Sequence, residues 1–232
     1  MLKGKIRPIG EYSKDEIMKM YLLMSNFYDN IDKKVFERDF FDKDYCLTLH
    51  HQEVGLVGFT TQKLLEVNVN GKITHGVFSG DTIIHKDYWG SMELFRVYAQ
   101  YWFKYAEQYE EFYWFLICKG YKTYRIMPLF WSEFYPNYKT ETPAYEKKII
   151  DAYAKMLYPN EYNQKTGVIE YKIAKDKLKK GIADIDEHLL KNKDIAYFCK
   201  RNPGYYKGND LACLAKFNKS LIKKRLSRLL FE

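Results

Sequence analysis

The sequence predicts an α+β protein in which helices are layered on both sides of a mixed, mostly antiparallel sheet. Three β-rich segments follow one another before residue 86, and Asn70-Gly71 between two of them is the strongest hairpin signal in the chain. A long amphipathic helix then leads to a continuous apolar run, Phe112–Cys118, which is typical of a strand buried on both faces. A strand, a crossover helix and a strand in one sheet form a parallel pair.

Composition favours a well-packed domain with anionic partners. The chain has 232 residues, of which 47% are hydrophobic and 18% aromatic, so we expect a single domain with a core over about 1–140 and a helical C-terminal elaboration over about 141–232. The formal net charge of +8 favours nucleic acid, acidic lipid, a phosphorylated cofactor or an acidic protein. The four cysteines form no CxxC pair and no apolar signal or transmembrane segment is visible, which predicts a reduced, cytoplasmic protein.

The spacing of apolar residues, together with capping and turn residues, predicts the helices and strands in order. A capping box at Ser13 begins the first helix, and Asn202-Pro203-Gly204 ends a late one. The predicted helices are 13–28, 32–42, 91–109, a segment from Pro128 to 134, 143–157, 184–201 and 219–231. The predicted strands are 44–51, 56–67, a third running into 76–85, 112–118, 167–172 and 211–217.

The stretch 76–106 is a candidate phosphate site. Its strand ends in a polar turn, 86–90, and the helix begins directly after it. The first amides of a helix have no partner within it, and they lie at the positive end of its dipole, so they attract phosphate. Gly90 and Ser91 are the best candidate contacts, and Trp89 and Met92 add backbone amides.

Two short motifs resemble those of the GNAT acyltransferase superfamily. The turn Ile84-His-Lys-Asp-Tyr-Trp-Gly90-Ser-Met-Glu-Leu is similar to the family turn whose amides hold the pyrophosphate of an acyl-coenzyme A. It departs from that pattern at Trp89, Met92 and Leu94. The segment Phe130-Trp-Ser-Glu-Phe-Tyr135-Pro looks like the family helix that ends in an aromatic-Tyr pair. The likeness covers about residues 44–138.

This resemblance implies a GNAT-like fold and an N-acyltransferase. The acyl donor would be acyl-CoA or an acyl-phosphopantetheine, and the acceptor an amine on a small molecule or a peptide. Because the phosphate turn is altered, an acyl carrier protein is an open alternative to coenzyme A, and the charge of +8 suits such an acidic partner. The resemblance also assigns Tyr135 as the general acid that protonates the departing thiolate, with Tyr124 as a second choice.

The remaining candidate residues lie at the end of the third strand. The backbone of Thr82, Ile83 and Ile84 is placed to polarise the thioester carbonyl. Asp81 interrupts an apolar strand, so it is either a base or anchor for the acceptor amine, or a solvent-facing salt-bridge residue. His85 is either a proton relay or a surface histidine. No metal is expected, because His50 and His51 are adjacent on a strand and point to opposite faces.

Two other classes of function are open to this composition. A basic, aromatic-rich chain can bind single-stranded nucleic acid by stacking without any catalysis, although most aromatics here lie in apolar runs such as Phe112–Cys118. The basic amphipathic segment 219–228 can lie on an acidic membrane surface, but more often such a helix covers a core with one face and leaves the other in water.

Overall fold

The computed structural model describes residues 1–171 and 176–231. The helices of these ranges are α1 Lys14–Ser25, α2 Lys33–Phe41, α3 Glu93–Ala106, α4 Tyr121–Tyr124, α5 Ile126–Phe130, α6 Ala144–Leu157, α7 Glu187–Leu190, α8 Lys193–Arg201 and α9 Lys224–Phe231. The strands are β1 Leu2–Pro8, β2 Tyr28–Asp29, β3 Tyr45–His51, β4 Gly55–Val69, β5 Lys72–Ile84, β6 Phe112–Cys118, β7 Tyr162–Asn163, β8 Val168–Ile169, β9 Lys177–Leu178 and β10 Asp210–Lys216.

One large mixed sheet organises the described residues. It has eight strands in the order β1-β3-β4-β5-β6-β10-β8-β7, and all of its neighbours are antiparallel except β5 and β6. β2 and β9 form a separate two-stranded pair. The predicted fold class is therefore confirmed, including the parallel pair that α3 connects.

The hairpins form where the sequence places them. Asn70 and Gly71 both have positive φ values, 55° and 85°, as a two-residue turn that follows the twist of its strands requires. At the start of α1 the hydroxyl of Ser13 accepts from the Glu16 amide, and the Glu16 carboxylate accepts from the Ser13 amide. Local turn and cap chemistry thus determines the β4–β5 turn and the start of α1.

Three apolar clusters hold helices on both faces of the sheet. The largest cluster lies beneath α3 and the C-terminal elements and contains the buried side chains of Trp102 and Trp114. A second packs α1 and α2 on the sheet around Phe59, and a third packs α6 around Tyr153. All of Phe112–Cys118 is buried except the half-buried Ile117, so this aromatic run is core and offers no stacking surface for nucleic acid.

The part of the chain after residue 120 departs most from expectation, and β1, which the sequence analysis did not predict, adds an edge strand to the sheet. No helix continues from Pro128 to 134, because α5 ends at Phe130 and the backbone then extends, with Trp131 forming a bridge to Ile222. The helix predicted over 184–201 is divided into α7 and α8, the basic helix begins at residue 224, and the predicted strand 167–172 is only β8. Its last predicted residue, Lys172, lies outside the described residues.

β10 enters the sheet beside β6 and forms six antiparallel pairs with it, from Leu211–Cys118 to Lys216–Tyr113. The last third of the chain therefore supplies an interior strand of the sheet as well as helices. None of the helices within 1–171 and 176–231 is both long and apolar enough to cross a membrane.

Candidate active site

β5 and β6 separate towards their carboxyl ends. They pair in parallel from His75–Phe112 to Ser79–Leu116. Beyond Ser79, β5 continues to pair with β4 as far as Ile84, while β6 ends at Cys118 and the chain turns into α4. The result is a wedge-shaped opening between residues 80–84 on one side and 117–120 on the other, which we call the splay.

The splay leaves backbone amides of β5 without a strand partner. The His85 amide donates to the Val57 carbonyl at 2.7 Å, towards β4. Since amide directions alternate along a strand, the Ile83 amide also faces β4, and those of Thr82 and Ile84 face the splay. Two of the three predicted backbone donors are thus directed into it. Ile83 is not, because its amide belongs to the β4 ladder and its side chain to the α1–α2 cluster.

Two cavities flank the splay. The larger, about 320 Å³, lies against Asp81 and the α1–α2 connection. The smaller, about 110 Å³, lies against Ile84, Trp89 and Lys122. Tyr28, Thr82 and Thr123 line both cavities, so the larger and the smaller cavity meet at the splay.

The turn before α3 keeps part of its predicted anion-binding capacity. The Trp89 amide donates to the Lys86 carbonyl at 3.2 Å and the Ser91 amide to the Tyr88 carbonyl at 2.9 Å, so the turn uses these two donors itself. Within the described residues, the amides of Gly90 and Met92 form no hydrogen bond. Of the four predicted contacts, therefore, Gly90 and Met92 have amides available to a phosphate.

Two lysines make this corner of the molecule positive. Lys122 Nζ lies 3.9 Å from the centroid of the Trp89 ring, and the Trp89 indole donates to the Ile84 carbonyl at 2.8 Å. Burial lowers the pKa of Lys122, and the charge of Lys86 lowers it further, because the two ammonium groups repel each other. An anion beside them would relieve this repulsion.

On the opposite side of the splay, Lys119 forms a fixed ionic cluster. Its Nζ lies 3.1 Å from the Asp210 carboxylate and 3.7 Å from that of Asp176, and it donates to the Gly208 carbonyl at 2.8 Å. Burial lowers the pKa of Lys119, but the charges of Asp210 and Asp176 outweigh burial and raise it. The ammonium therefore stays charged and ties the end of β6 to the start of β10.

Three tyrosines complete the larger cavity. The Tyr171 hydroxyl donates to Asp210 at 2.9 Å, and burial followed by the charge of Asp210 raises the pKa of Tyr171. Burial followed by the charge of Asp81 raises the pKa of Tyr28, and burial followed by Asp210 raises that of Tyr158. All three hydroxyls are therefore protonated at neutral pH.

Tyr135 lies in another part of the molecule. Its backbone exchanges hydrogen bonds of 2.8 and 2.7 Å with Leu214 of β10, so β10 and β6 separate it from β5, a distance of about 14 Å at the usual strand spacing. Its hydroxyl donates to Glu133 at 3.1 Å, and burial followed by that charge raises the pKa of Tyr135 to about 12. It lines a third cavity of about 290 Å³, and the structure does not bring it together with Asp81.

The other two candidate proton carriers differ in position as well. His85 is 43% exposed, has its Nδ1 3.6 Å from the Asp87 carboxylate, and lines neither cavity at the splay. The Tyr124 hydroxyl is buried and donates to the Pro136 carbonyl at 2.9 Å. Asp81, in contrast, lines the larger cavity.

Sequence reasoning missed Lys119, Asp176, Asp210 and Tyr28. Lys119 follows a buried apolar strand and Asp210 precedes one, whereas Asp81 was singled out because it lies within one. Lys119 and Asp210 are 91 positions apart, so their ion pair cannot be predicted before the pairing of β6 with β10 is known. Among the described residues, no group of three or more His, Cys, Asp or Glu side chains is arranged to hold a metal ion.

Comparison with family models finds no match, and comparison with curated proteins finds none either. Solved structures with partial likeness include a conserved protein of unknown function from Enterococcus faecalis, described as a probable N-acyltransferase, at 16% identity and a TM-score of 0.42, covering 58% of this chain and 33% of that one. A GNAT family N-acetyltransferase from Escherichia coli in complex with CoA matches at 13% identity and 0.37, covering 51% and 64%.

A third structure, the Arabidopsis thaliana NAA60 protein with a bisubstrate analogue, matches at 11% identity and a TM-score of 0.39, covering 60% of this chain and 93% of that one. This chain thus spans a third of the first of these structures and under two thirds of the second. The fold itself is a mixed, mostly antiparallel sheet with helices on both faces and a splay between β5 and β6.

Proposed function

We propose that this protein transfers an acyl group from a pantetheine thioester to an amine by direct attack. The observation that carries the proposal is the splay itself, with the Thr82 and Ile84 amides facing it and a cavity on either side. An extended thioester arm fits between diverging strands, because the strand edge offers it hydrogen-bond donors that no neighbouring strand uses.

The donor is assigned to the smaller cavity. Its phosphate would lie on the Gly90 and Met92 amides beside Lys86 and Lys122, where amides and ammonium groups both favour an anion. From there the arm would pass the Trp89 ring into the splay. Acyl-CoA and an acyl carrier protein both present a phosphate and a pantetheine arm, so both belong to the donor class.

The Thr82 amide is positioned to stabilise the oxyanion of the tetrahedral intermediate. A single such donor typically contributes about 3–4 kcal/mol to the barrier. The C–N bond forms, the C–S bond breaks, and one proton passes from the attacking nitrogen to the departing sulfur. We assign Asp81 to accept that proton from nitrogen and to release it through water to the departing thiolate, while the protonated Tyr28 hydroxyl donates a hydrogen bond to the sulfur as its charge develops. Tyr28 thus takes the place that resemblance gave to Tyr135.

The test is donor binding and turnover in lysine variants. Acyl-CoA, acyl-phosphopantetheine and acyl carrier protein are each titrated calorimetrically, and amide products are measured by mass spectrometry. Lys86→Ala and Lys122→Ala are each expected to weaken donor binding by roughly tenfold with little change in kcat. Lys104→Ala is the matched control, since Lys104 is exposed in the last turn of α3, far from its N-terminus.

Two results would refute the proposal. One is that no thioester binds to the folded protein or is consumed by it in the presence of amines. The other is that Lys86→Ala and Lys122→Ala bind the donor as tightly as Lys104→Ala does. Tighter binding of acyl-CoA or of acyl carrier protein than of acyl-phosphopantetheine shows whether the nucleotide or the carrier protein contributes to donor affinity.

A further inference from the structure

Among the described residues, five carboxylates line the larger cavity, and each already interacts with another group of the protein. The Asp32 carboxylate accepts from a backbone amide of α2 at 2.9 Å and so caps that helix. Lys119 holds two others, as described above, and Arg38 donates to Asp39 at 3.4 Å. Asp81 also has an interaction within the protein. These carboxylates therefore do not require a ligand of opposite charge.

The wall of the larger cavity on the side of α1 and α2 is apolar. Its side chains come from the end of α1, from the loop before α2 and from the first turn of α2, and β5 and β6 add two more opposite them: Met24, Ile31, Val35, Phe36, Phe78 and Ile117. Met24, Phe36 and Phe78 are at most 5% exposed, so the core packs behind them and holds them in place. Such a wall binds hydrocarbon by removing apolar surface from water.

The apolar wall continues to the rim of the cavity. Val35 is 38% exposed, and Ile31 is half-buried. Single exposed apolar side chains are ordinary on a protein surface, but these two extend the buried wall formed by Met24 and Phe36. An alkyl chain lying against them would remove their remaining apolar surface from water.

The connection of this wall with the splay indicates which hydrocarbon would cover it. Tyr28 and Thr82 line both the larger and the smaller cavity. A donor with its phosphate at the smaller cavity and its carbonyl oxygen at the Thr82 amide has its remaining acyl carbons directed through the splay. Those carbons enter the larger cavity, which they share with the acceptor amine.

The volume of the larger cavity limits the length of the chain. It is about 320 Å³, whereas an apolar cavity of about 150 Å³ holds benzene, a molecule of six carbons. By the same ratio the larger cavity has room for about twelve non-hydrogen atoms. An acetyl group has a single carbon beyond its carbonyl and would leave most of the apolar wall uncovered.

We propose that the transferred acyl group is an alkyl chain of roughly four to eight carbons, longer than acetyl, and that Ile31 and Val35 determine the preferred length. The inference rests on the proposed function and specifies its donor. The reaction is unchanged: the C–N bond forms, the C–S bond breaks, and one proton passes from nitrogen to sulfur. Each methylene that leaves water strengthens binding by about fourfold, so the wall selects longer chains until the space is filled.

The experiment measures the binding of donor analogues that cannot react. S-alkyl phosphopantetheine thioethers keep the phosphate and the arm but lack the thioester carbonyl, so calorimetry on the full chain measures binding alone. The affinity is expected to rise by at least about tenfold from S-ethyl to S-hexyl. S-decyl should bind no more tightly than S-octyl, because its last carbons extend beyond the cavity.

Two substitutions at the rim locate the alkyl site. Val35→Asp places a charge on the wall and should weaken S-hexyl binding by roughly tenfold while leaving S-ethyl binding unchanged. A carboxylate in the first turn of α2 is favourable to the helix dipole, so the variant should fold normally. Ile31→Ala shortens the wall and should weaken S-hexyl binding by about threefold to tenfold. Val54→Asp is the matched control, since Val54 lies in the turn after β3 and is 65% exposed.

Equal affinities for S-ethyl and S-hexyl would overturn the proposal. So would a folded Val35→Asp variant that binds S-hexyl as tightly as Val54→Asp does. If thioesters of all chain lengths bind and react alike, the preference for longer chains is wrong and acyl transfer stands. If S-hexyl binds in a way that depends on Val35 but no thioester is consumed in the presence of amines, the alkyl site stands and acyl transfer fails.

Discussion

Glu111 lies directly before β6, at the end of the β5–β6 pair opposite the splay. Its carboxylate accepts from Lys216 Nζ at 2.8 Å, from Lys72 Nζ at 3.1 Å and from the Tyr145 hydroxyl at 3.1 Å. One side chain therefore links β5, β10 and α6 to the start of β6. We expect Glu111→Gln to destabilise the fold through loss of its charge.

The magnitude follows from the pKa of this group. Burial acts to raise the pKa of Glu111, but the hydrogen bonds from Lys216 and Lys72 outweigh burial and lower the pKa from 4.5 to about 2. If the whole difference between the folded and unfolded pKa of Glu111 contributed to the free energy of unfolding, it would be worth about 3 kcal/mol. Because water still reaches the ion pairs, screening reduces the expected loss at pH 7 to about 1–2 kcal/mol, a fall in Tm of roughly 2–8 °C for a chain of this length.

The dependence on pH has a definite sign. A carboxyl group with a lowered folded-state pKa stabilises the protein above its unfolded pKa, and this contribution is lost as pH falls from 4.5 through about 2. Roughly 60% of it should remain at pH 3.5. Urea unfolding of wild type and Glu111→Gln at pH 7, 4.5 and 3.5 should therefore show a difference that narrows at the lowest pH.

The neighbouring Glu110 supplies the matched control. It also lies beside Lys72, at 3.2 Å, but its side chain is 83% exposed, so Glu110→Gln should change stability by less than about 0.5 kcal/mol. The reasoning is refuted if the two variants lose the same stability at pH 7. It is equally refuted if the Glu111→Gln deficit is constant between pH 7 and 3.5, because the loss would then not come from the ionised carboxylate.

Two further predictions concern packing and capping. Gly76→Ala places a Cβ 2.8 Å from the Tyr153 hydroxyl, so it should lower the free energy of unfolding in urea by about 1–3 kcal/mol. Gly10→Ala, with open space around it, is the control and should leave stability unchanged. Equal effects of the two substitutions would contradict the close approach at Gly76. Ser13→Ala removes the acceptor for the Glu16 amide and should cost about 1 kcal/mol, and an unchanged midpoint would show that the capping box does not stabilise α1.

The sequence predicts most elements between residues 13 and 118 because the determining interactions there are local; β1 was missed, since its partner β3 lies about forty positions later. The Asn70-Gly71 turn, the Ser13 capping box and the parallel pair across α3 all join segments that are neighbours in the chain or are linked by one crossover. The C-terminal third resisted prediction because its partners are remote. β10 pairs with a strand about a hundred positions earlier, so its place beside β6 was not predicted. β9, and β2 near the N-terminus, are two residues each, too short for any periodic signal.

Of the candidate site, the residues that lie close together in the chain could be grouped from the sequence and those from remote segments could not, for the same physical reason. Thr82, Ile84, Gly90 and Met92 come from one strand–turn–helix, so their joint presence is visible in the sequence. Tyr135 was placed by its motif alone, and the motif does not reveal that β10 would lie between it and β6.

The net charge shows most clearly what the sequence alone does not predict. A total of +8 predicts anionic partners, and Lys86 and Lys122 near the α3 N-terminus are two of the residues on which that prediction depends. The same total hides a cavity in which carboxylates predominate among the described lining residues, because those residues come from α2, β5 and the approach to β10. The sum of charges over the chain therefore describes neither of these two surfaces.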